Sequence, residues 1–312
     1  MGHQMTSKLK TLKSFVRPHY MLLAMDKTPL RLEEDASPIF IIGSGRSGNT
    51  LIRRILTAGP ELYIPPETYV LGQIIRRHLF QPRINWEDLC QLTIGTFATS
   101  EDSHMFPTCD MRPLFEKLMD TPVTERSLAR IVCEFYKYMM QQAKPLATRW
   151  GDKTPMNSGS LPQIDRMFPQ AKYVHIVRDG YDVVASYLNM GRYSCPLEAA
   201  GRWVQATNDC HAFAEARPHR VIEIRYEDLC TDPERVTTLM CNFFNLAYSK
   251  QMIHDQVDAG MLGDIDKRAH YANVTQPVGT ASIGKGRREL GSSIVNELRP
   301  ILSDQMAKLG YT

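Results

Sequence analysis

Residues 43–50 read GSGRSGNT, between the apolar run PIFII at 38–42 and LIRRIL at 51–56. Glycines at 43, 45 and 48 let the backbone turn tightly and point N–H groups inward. A helix opening near Ser47 adds its unsatisfied N–H groups and the positive end of its dipole. Such a cradle binds a phosphate or a sulfate. Its candidate contacts are Ser44, Gly45, Arg46, Ser47, Gly48, Asn49 and Thr50. Arg46 at the apex suits bidentate pairing with the anion, and Thr50 brings a hydroxyl donor. The frame G-x-x-x-x-G-x-T is that of a nucleotide-binding P-loop, yet Asn49 stands where a nucleotide kinase carries its Lys. Asparagine offers hydrogen bonds without charge.

A second constellation lies in YVHIVRDGYDVVASY, residues 173–187. Arg178 closes a β-branched run, and Ser186 falls two turns into the helix that follows. A strand-end Arg and a helix Ser can hold a second phosphate beside the first. Taken alone, Arg178 pairing with Asp179 or Asp182 at the surface is the better explanation of these residues.

The elements that position these groups follow from hydrophobic pattern. PIFII (38–42), AKYVHIV (171–177) and RVIEIRY (220–226) read as strands, each followed by a helical pattern. Gly59-Pro60 stops the first of these helices, and Asp232-Pro233 opens the third as N-cap and N1. Strands alternating with helices predict an α/β fold: a P-loop-like three-layer sandwich with a central parallel sheet. Residues 67–145 carry no strand signal and read as a helical insertion, with helices at 67–80, 85–97 and 124–143. Further helices are predicted at 196–217 and 291–309, and a long loop at 260–290. The expected organisation is an N-terminal arm, 1–37, and one domain, 38–312.

Composition narrows the function classes. The 312 residues are 43% apolar, with a formal net charge of +3 and no block of like charge, so a dedicated nucleic-acid surface is not indicated. Seven cysteines form no C-x-x-C pair, which argues against a zinc site or disulfide framework and for reduced thiols in a cytoplasm. No run reaches the ~18 apolar residues of a membrane helix. The expectation is a soluble, cytoplasmic protein without a transmembrane segment. The basic arm (Lys8, Lys10, Lys13, Arg17) reads first as a helix packed on the domain, and second as a weak membrane-surface contact.

Together, GSGRSGNTL and VRDGYDVVAS resemble the two nucleotide motifs of sulfotransferases that use 3′-phosphoadenosine 5′-phosphosulfate (PAPS). The resemblance extends over about residues 38–310. It implies that the first loop binds the 5′-phosphosulfate and that Arg178 and Ser186 bind the 3′-phosphate. Gly45 replaces the usual Pro and Asn49 a Thr; the Arg and final Thr remain. RYEDL at 225–229 resembles the family's strand-end motif near the adenine, which assigns Tyr226 there. SIGKGRREL at 282–290 resembles the basic segment that folds over the nucleotide. It implies roles for Ser282, Lys285, Gly286, Arg287 and Arg288, with Gly284 and Gly286 allowing close approach.

The resemblance further implies sulfuryl transfer from PAPS to a hydroxyl acceptor, without a metal. Near LYIPPETYV it is closest to the protein-tyrosine branch, where a Glu followed by Thr acts as base. Glu67 is therefore the expected base, held by Pro65-Pro66, and His175, a mid-strand residue, is the alternative. Lys153 in GDKTP is expected beside Arg46 on the departing phosphate oxygen, so Glu67, Lys153 and Arg46 form the expected catalytic set. Two competing readings are a P-loop nucleotide kinase and a non-catalytic binder of the phosphoadenosine nucleotide. The acceptor, whether sugar, tyrosine, lipid or phenol, is not written in the sequence, and neither is the oligomeric state.

Overall fold

The apolar run at 38–42 becomes β1, Ile39–Ile42, with all four side chains buried. In this computed structural model, which describes residues 27–32, 36–80, 83–254, 262 and 277–311, β1 lies at the centre of a five-stranded sheet. Its partners are β2 (Leu62–Tyr63), β3 (Arg149–Lys153), β4 (Lys172–Val177) and β5 (Val221–Arg225), in the order β2-β3-β1-β4-β5. Every pairing is parallel. Ile41 of β1 faces Lys153 on one side and Val174 on the other. The carboxyl ends of β1, β3 and β4 therefore meet at one edge, where ligands of open parallel sheets bind.

Side chains alternate across the sheet with the period of a strand. Phe40 and Ile42 join a core built with the insertion helices, and Phe40 stacks on Tyr173 at 5.4 Å. Ile39 and Ile41 face the opposite core with Ile52, Ile55, Val174, Met240 and Phe244. Helices thus cover both faces, as the α/β reading requires.

Two strands depart from the expectation. β2 has only two residues, and β3 reads RWGDK, which carries no apolar alternation. Its place is fixed by its neighbour: a β-carbon on Gly151 would lie 2.5 Å from the Ile39 carbonyl oxygen and 3.0 Å from Ile64.

The first helix, α1 (Asn49–Ala58), ends at Gly59 as expected. The insertion contains α2 (Leu71–Phe80), α3 (Trp86–Ala98), α4 (Arg112–Met119) and α5 (Leu128–Ala143). α2 begins later than residue 67, because Pro65-Pro66 and a left-handed Tyr69, φ 59°, keep the preceding chain out of a helix. The short α4 adds to the expected set. α5 starts at the Ser127 cap, which accepts from Arg130 N at 2.9 Å, and its first N–H groups also donate to the Pro29 and Leu30 carbonyls.

Beyond β3 come α6 (Leu161–Met167), α7 (Gly180–Asn189), α8 (Pro196–Glu215), α9 (Tyr226–Thr231), α10 (Pro233–Phe244), α11 (Gln251–His254) and α12 (Gly286–Lys308). Asp232 caps α10 as predicted, accepting from Arg235 N at 3.2 Å. α12 starts five residues before the expected 291, and Gly291, at φ 75° and ψ 162°, kinks it there. Most of the loop expected at 260–290, and the basic part of the N-terminal arm, lie outside the described residues.

Because Gly151 touches β1 backbone, Gly151→Ala is expected to lower stability by about 1–3 kcal/mol through overpacking. A fall in the urea midpoint with an unchanged slope is the check.

Candidate active site

The loop after β1 folds as a cradle because three glycines and one asparagine close it. At Gly43, φ 143°, a β-carbon would meet the Ile176 carbonyl oxygen at 2.5 Å. At Gly48, φ 106°, it would meet the Tyr226 ring at 2.6 Å. At Gly45 it would lie 2.6 Å from the Tyr187 hydroxyl, which explains why no proline ring stands here. Asn49 Nδ2 donates to the Ser44 carbonyl at 2.7 Å, so this side chain braces the loop. Arg46 occupies the apex in left-handed backbone, φ 66°. The N-cap of α1 is Gly48, which brings no capping side chain, and Thr50 is the second helical residue. Ser47 Oγ and Asn49 Oδ1 are buried without a hydrogen-bond partner among the described residues.

The second motif meets the first. Arg46 Nε donates to Ser186 Oγ at 3.0 Å, and Arg178 Nη1 donates to the Arg46 carbonyl at 3.2 Å. The Arg178 guanidinium sits 4.5 Å over the Tyr226 ring. Burial pushes the Tyr226 phenol up to about 12, so it remains protonated. Arg178 also approaches Asp182, at 3.5 Å, so the local ion pair and the shared cluster coexist. Asp182 also anchors the late segment, since its carboxylate accepts from Gly284 N at 2.9 Å and Gly286 N at 2.6 Å.

The 282–290 segment reaches the same cluster, where the Ser282 side chain hydrogen-bonds Tyr226. Arg178 Nη2 donates to the Ser282 carbonyl at 2.6 Å, so backbone joins this residue to Arg178. Gly286 makes its close approach to protein: a β-carbon there would lie 2.3 Å from the Tyr181 carbonyl group. Arg287 packs 4.1 Å over the Tyr181 ring and lies 3.9 Å from Asp179. Lys285 is the exposed N-cap of α12, and Arg288 is exposed beside it.

A third group gathers where β3 ends. The Glu67 carboxylate accepts from Lys153 Nζ through one oxygen and from the Tyr69 hydroxyl through the other. Lys153 is fully buried and Glu67 nearly so. Arg53 holds the approach to Glu67 by donating to the Ile64 carbonyl at 2.8 Å. Under this pair lies Asp152, wholly buried, which accepts from Tyr136 Oη at 2.7 Å, Thr68 Oγ1 at 3.2 Å, Thr154 Oγ1 at 3.2 Å and Asn157 Nδ2 at 2.6 Å. Thr68 N donates in turn to Thr154 Oγ1 at 3.2 Å. Asp152 thereby ties the chain at Thr68 to the end of β3 and holds Glu67 beside Lys153. Burial pushes its carboxyl up to about 6, against the hydroxyl donors that pull it down.

His175, the alternative base, is a buried core residue whose Nδ1 lies 2.9 Å from Glu223 Oε2. Burial raises the Glu223 carboxyl, but hydrogen bonds and charge from His175 and His211 outweigh it and bring it to about 2.

Sequence reasoning does not single out Asp152, Tyr69 or Tyr187, and gives Asp182 only an ion pair. Asp152 has one signal, an acid beside Lys153 in WGDKTP; the others carry none apart from the fold.

A family model described as "Sulfotransferase family" matches residues 38–250. The chain belongs to the sulfotransferase family. This sulfotransferase is 23% identical to human protein-tyrosine sulfotransferase 1 over 323 residues, covering 97% of this chain and 77% of the relative. The zebrafish protein-tyrosine sulfotransferase 1 is 21% identical, covering 91% of this chain and 75% of its own. Among solved structures, the sulfotransferase domain of the Synechococcus PCC 7002 olefin synthase superposes with a TM-score of 0.62 at 21% identity, over 92% of this chain and 96% of that one. The sulfotransferase domain of the curacin biosynthetic pathway gives 0.56 at 20% identity, over 90% and 99%. These likenesses establish the fold. No helix among the described residues of this sulfotransferase is long and apolar enough to cross a membrane.

The raised Asp152 carboxyl couples its stability to pH. The folded value is about 6 against an ordinary 3.8, so the folded state holds this proton more tightly than the unfolded chain. The contribution is full below about pH 4 and is lost as pH rises through about 6, a change of about 3 kcal/mol. Asp152→Asn cannot titrate, so urea unfolding is expected to show the parent more stable relative to this variant at pH 4.5 than at pH 7.

Proposed function

We propose that this enzyme moves the sulfuryl group of PAPS onto a hydroxyl acceptor and releases 3′-phosphoadenosine 5′-phosphate. One observation carries the reading: Arg46, Ser186 and Arg178 are joined by hydrogen bonds at the carboxyl edge of the sheet. Two basic groups that close on one another suit a single donor charged at both ends. The cradle fits such a donor, because Ser47 Oγ has no partner among the described residues and the α1 N-terminus has no side-chain cap. The protein-tyrosine sulfotransferase relatives support a hydroxyl acceptor. Asn49, committed to the Ser44 carbonyl, speaks against a kinase. Seven cysteines, five of them buried and none in a disulfide, support a reducing, cytoplasmic setting.

The donor supplies a sulfuryl group on a phosphate leaving group; the chain supplies position and charge. Arg46 and the loop N–H groups hold the 5′ end, and Arg178 and Ser186 hold the 3′ end. The Glu67 carboxylate takes the acceptor's proton as the oxygen–sulfur bond forms and the bond to the 5′-phosphate breaks. Protonated Glu67 no longer neutralises Lys153, whose ammonium becomes available to the charge on the departing oxygen. The ion pair seen here thus stores the cation until the proton transfer that requires it.

Arg46→Ala and Arg178→Ala are each expected to weaken binding of 3′-phosphoadenosine 5′-phosphate roughly ten- to a hundredfold, read by calorimetry. Glu67→Gln is expected to bind the nucleotide normally and to lose transfer. Normal turnover by Glu67→Gln would refute the base assignment, and unchanged affinity in both arginine variants would refute the nucleotide site. Tight nucleotide binding without turnover on any acceptor would favour a non-catalytic binder.

A further inference from the structure

Tyr69, half-buried, donates its hydroxyl to Glu67. It is one of three non-glycine residues with left-handed backbone among the described residues; Arg46, at the cradle apex, is another. A side chain enters that region only where its surroundings hold it there, commonly at a functional site. What holds Tyr69 includes the bond from its hydroxyl to Glu67 Oε2, opposite the Lys153 bond to Oε1. Both oxygens of the base are therefore engaged by the protein's own donors.

Tyr69 also lines a cleft of about 620 Å³ between α2 and α3. Val70, Gln73 and Arg77 recur at the spacing of one helix face, and Leu92 and Thr96 do so across from them. We infer that this cleft is the acceptor site and that Tyr69 holds the acceptor's place on Glu67. An incoming hydroxyl displaces the phenol and takes over its hydrogen bond to Oε2. The inference rests on reading Glu67 as the base. In the transfer the acceptor oxygen–sulfur bond forms, the sulfur–phosphate oxygen bond breaks, and the acceptor's proton passes to Oε2. The Tyr69 phenol keeps its own proton.

The lining also names a class of acceptor. Val70, Leu92 and the Tyr69 ring give it apolar walls, and Gln73 and Thr96 offer neutral hydrogen-bonding groups. Among its described lining residues, one cation, Arg77, is balanced by one anion, Glu101. A compact, uncharged phenol or alcohol matches such a cleft; a polyanionic glycan or an acidic peptide calls for net positive charge.

The test sets 2-naphthol and a sterol alcohol against an acidic tyrosyl peptide and heparan, with PAPS as donor. The neutral hydroxyl compounds are expected to have the higher kcat/KM. Preference for the peptide or heparan, or no turnover of the neutral pair, overturns the class. Leu92 is partly exposed on the cleft wall, so Leu92→Trp narrows the cleft without disturbing the core. It is expected to raise the acceptor KM tenfold or more while nucleotide affinity stays the same; an unchanged KM overturns the cleft. Tyr69→Phe keeps the ring and removes the competing hydroxyl, so the acceptor KM is expected to fall several-fold. A loss of kcat without a lower KM would make Tyr69 a support of Glu67, and a sulfuryl mass gain on its own peptide would make it an acceptor; either overturns its placeholder role. The Leu92→Trp readout is independent of the base, so a failed cleft and a failed Glu67 assignment are told apart.

Discussion

Three hydrogen-bonding side chains, Arg46, Ser186 and Arg178, join two chain segments that lie far apart in sequence. Their meeting depends on β1 and β4 being adjacent and parallel, so that both strands end at the same edge. The left-handed apex of the first loop turns the Arg46 carbonyl to Arg178. The segment before α12 is held to the same cluster through the Ser282 carbonyl and the Asp182 carboxylate. Cradle, second motif and C-terminal helix thus form one body around a concentration of positive charge.

The second constraint is a buried ion pair. Lys153 and Glu67 are taken out of water together, and removing one partner of such a pair typically costs about 3–5 kcal/mol. The fold holds the pair in register: β3 pairs with β1 up to Lys153, and Asp152 ties Thr68 to the strand end. The same fold requirement that hides the lysine keeps its charge close to the cradle loop, since Lys153 faces Ile41 and that loop begins two residues on. A charge stored in a dry site acts more strongly when released than one that rests in solvent.

Sequence patterns expose chemistry that is local. GSGRSGNT and VRDGYDVVAS are legible because the glycines, arginines and serine that matter sit at fixed offsets around a strand end. The β-branched and aromatic runs of β1, β4 and β5 are legible for the same reason. β3 is not: RWGDK has a buried Trp, a glycine pressed on β1 and two buried charges, each explained only by what lies beside it. Asp152 and Tyr69 escape for a related cause, since their partners arrive from other elements or through an unusual backbone turn. The late segment, 282–290, is intermediate. Its basic residues suggest ligand contacts, whereas Gly286 is explained by helix packing and Ser282 by its carbonyl bond to Arg178 and its side-chain bond to Tyr226.

Gly45 shows how such packing constrains the family's variation. The space that a ring or methyl group would fill at the loop is already taken by the Tyr187 hydroxyl, which also lies 3.4 Å from Ser44 Oγ. A bulkier residue at position 45 therefore requires the Tyr187 side chain to move or be replaced by a smaller one. The loop's freedom to change is thus set by a residue on a helix 142 positions later in the chain.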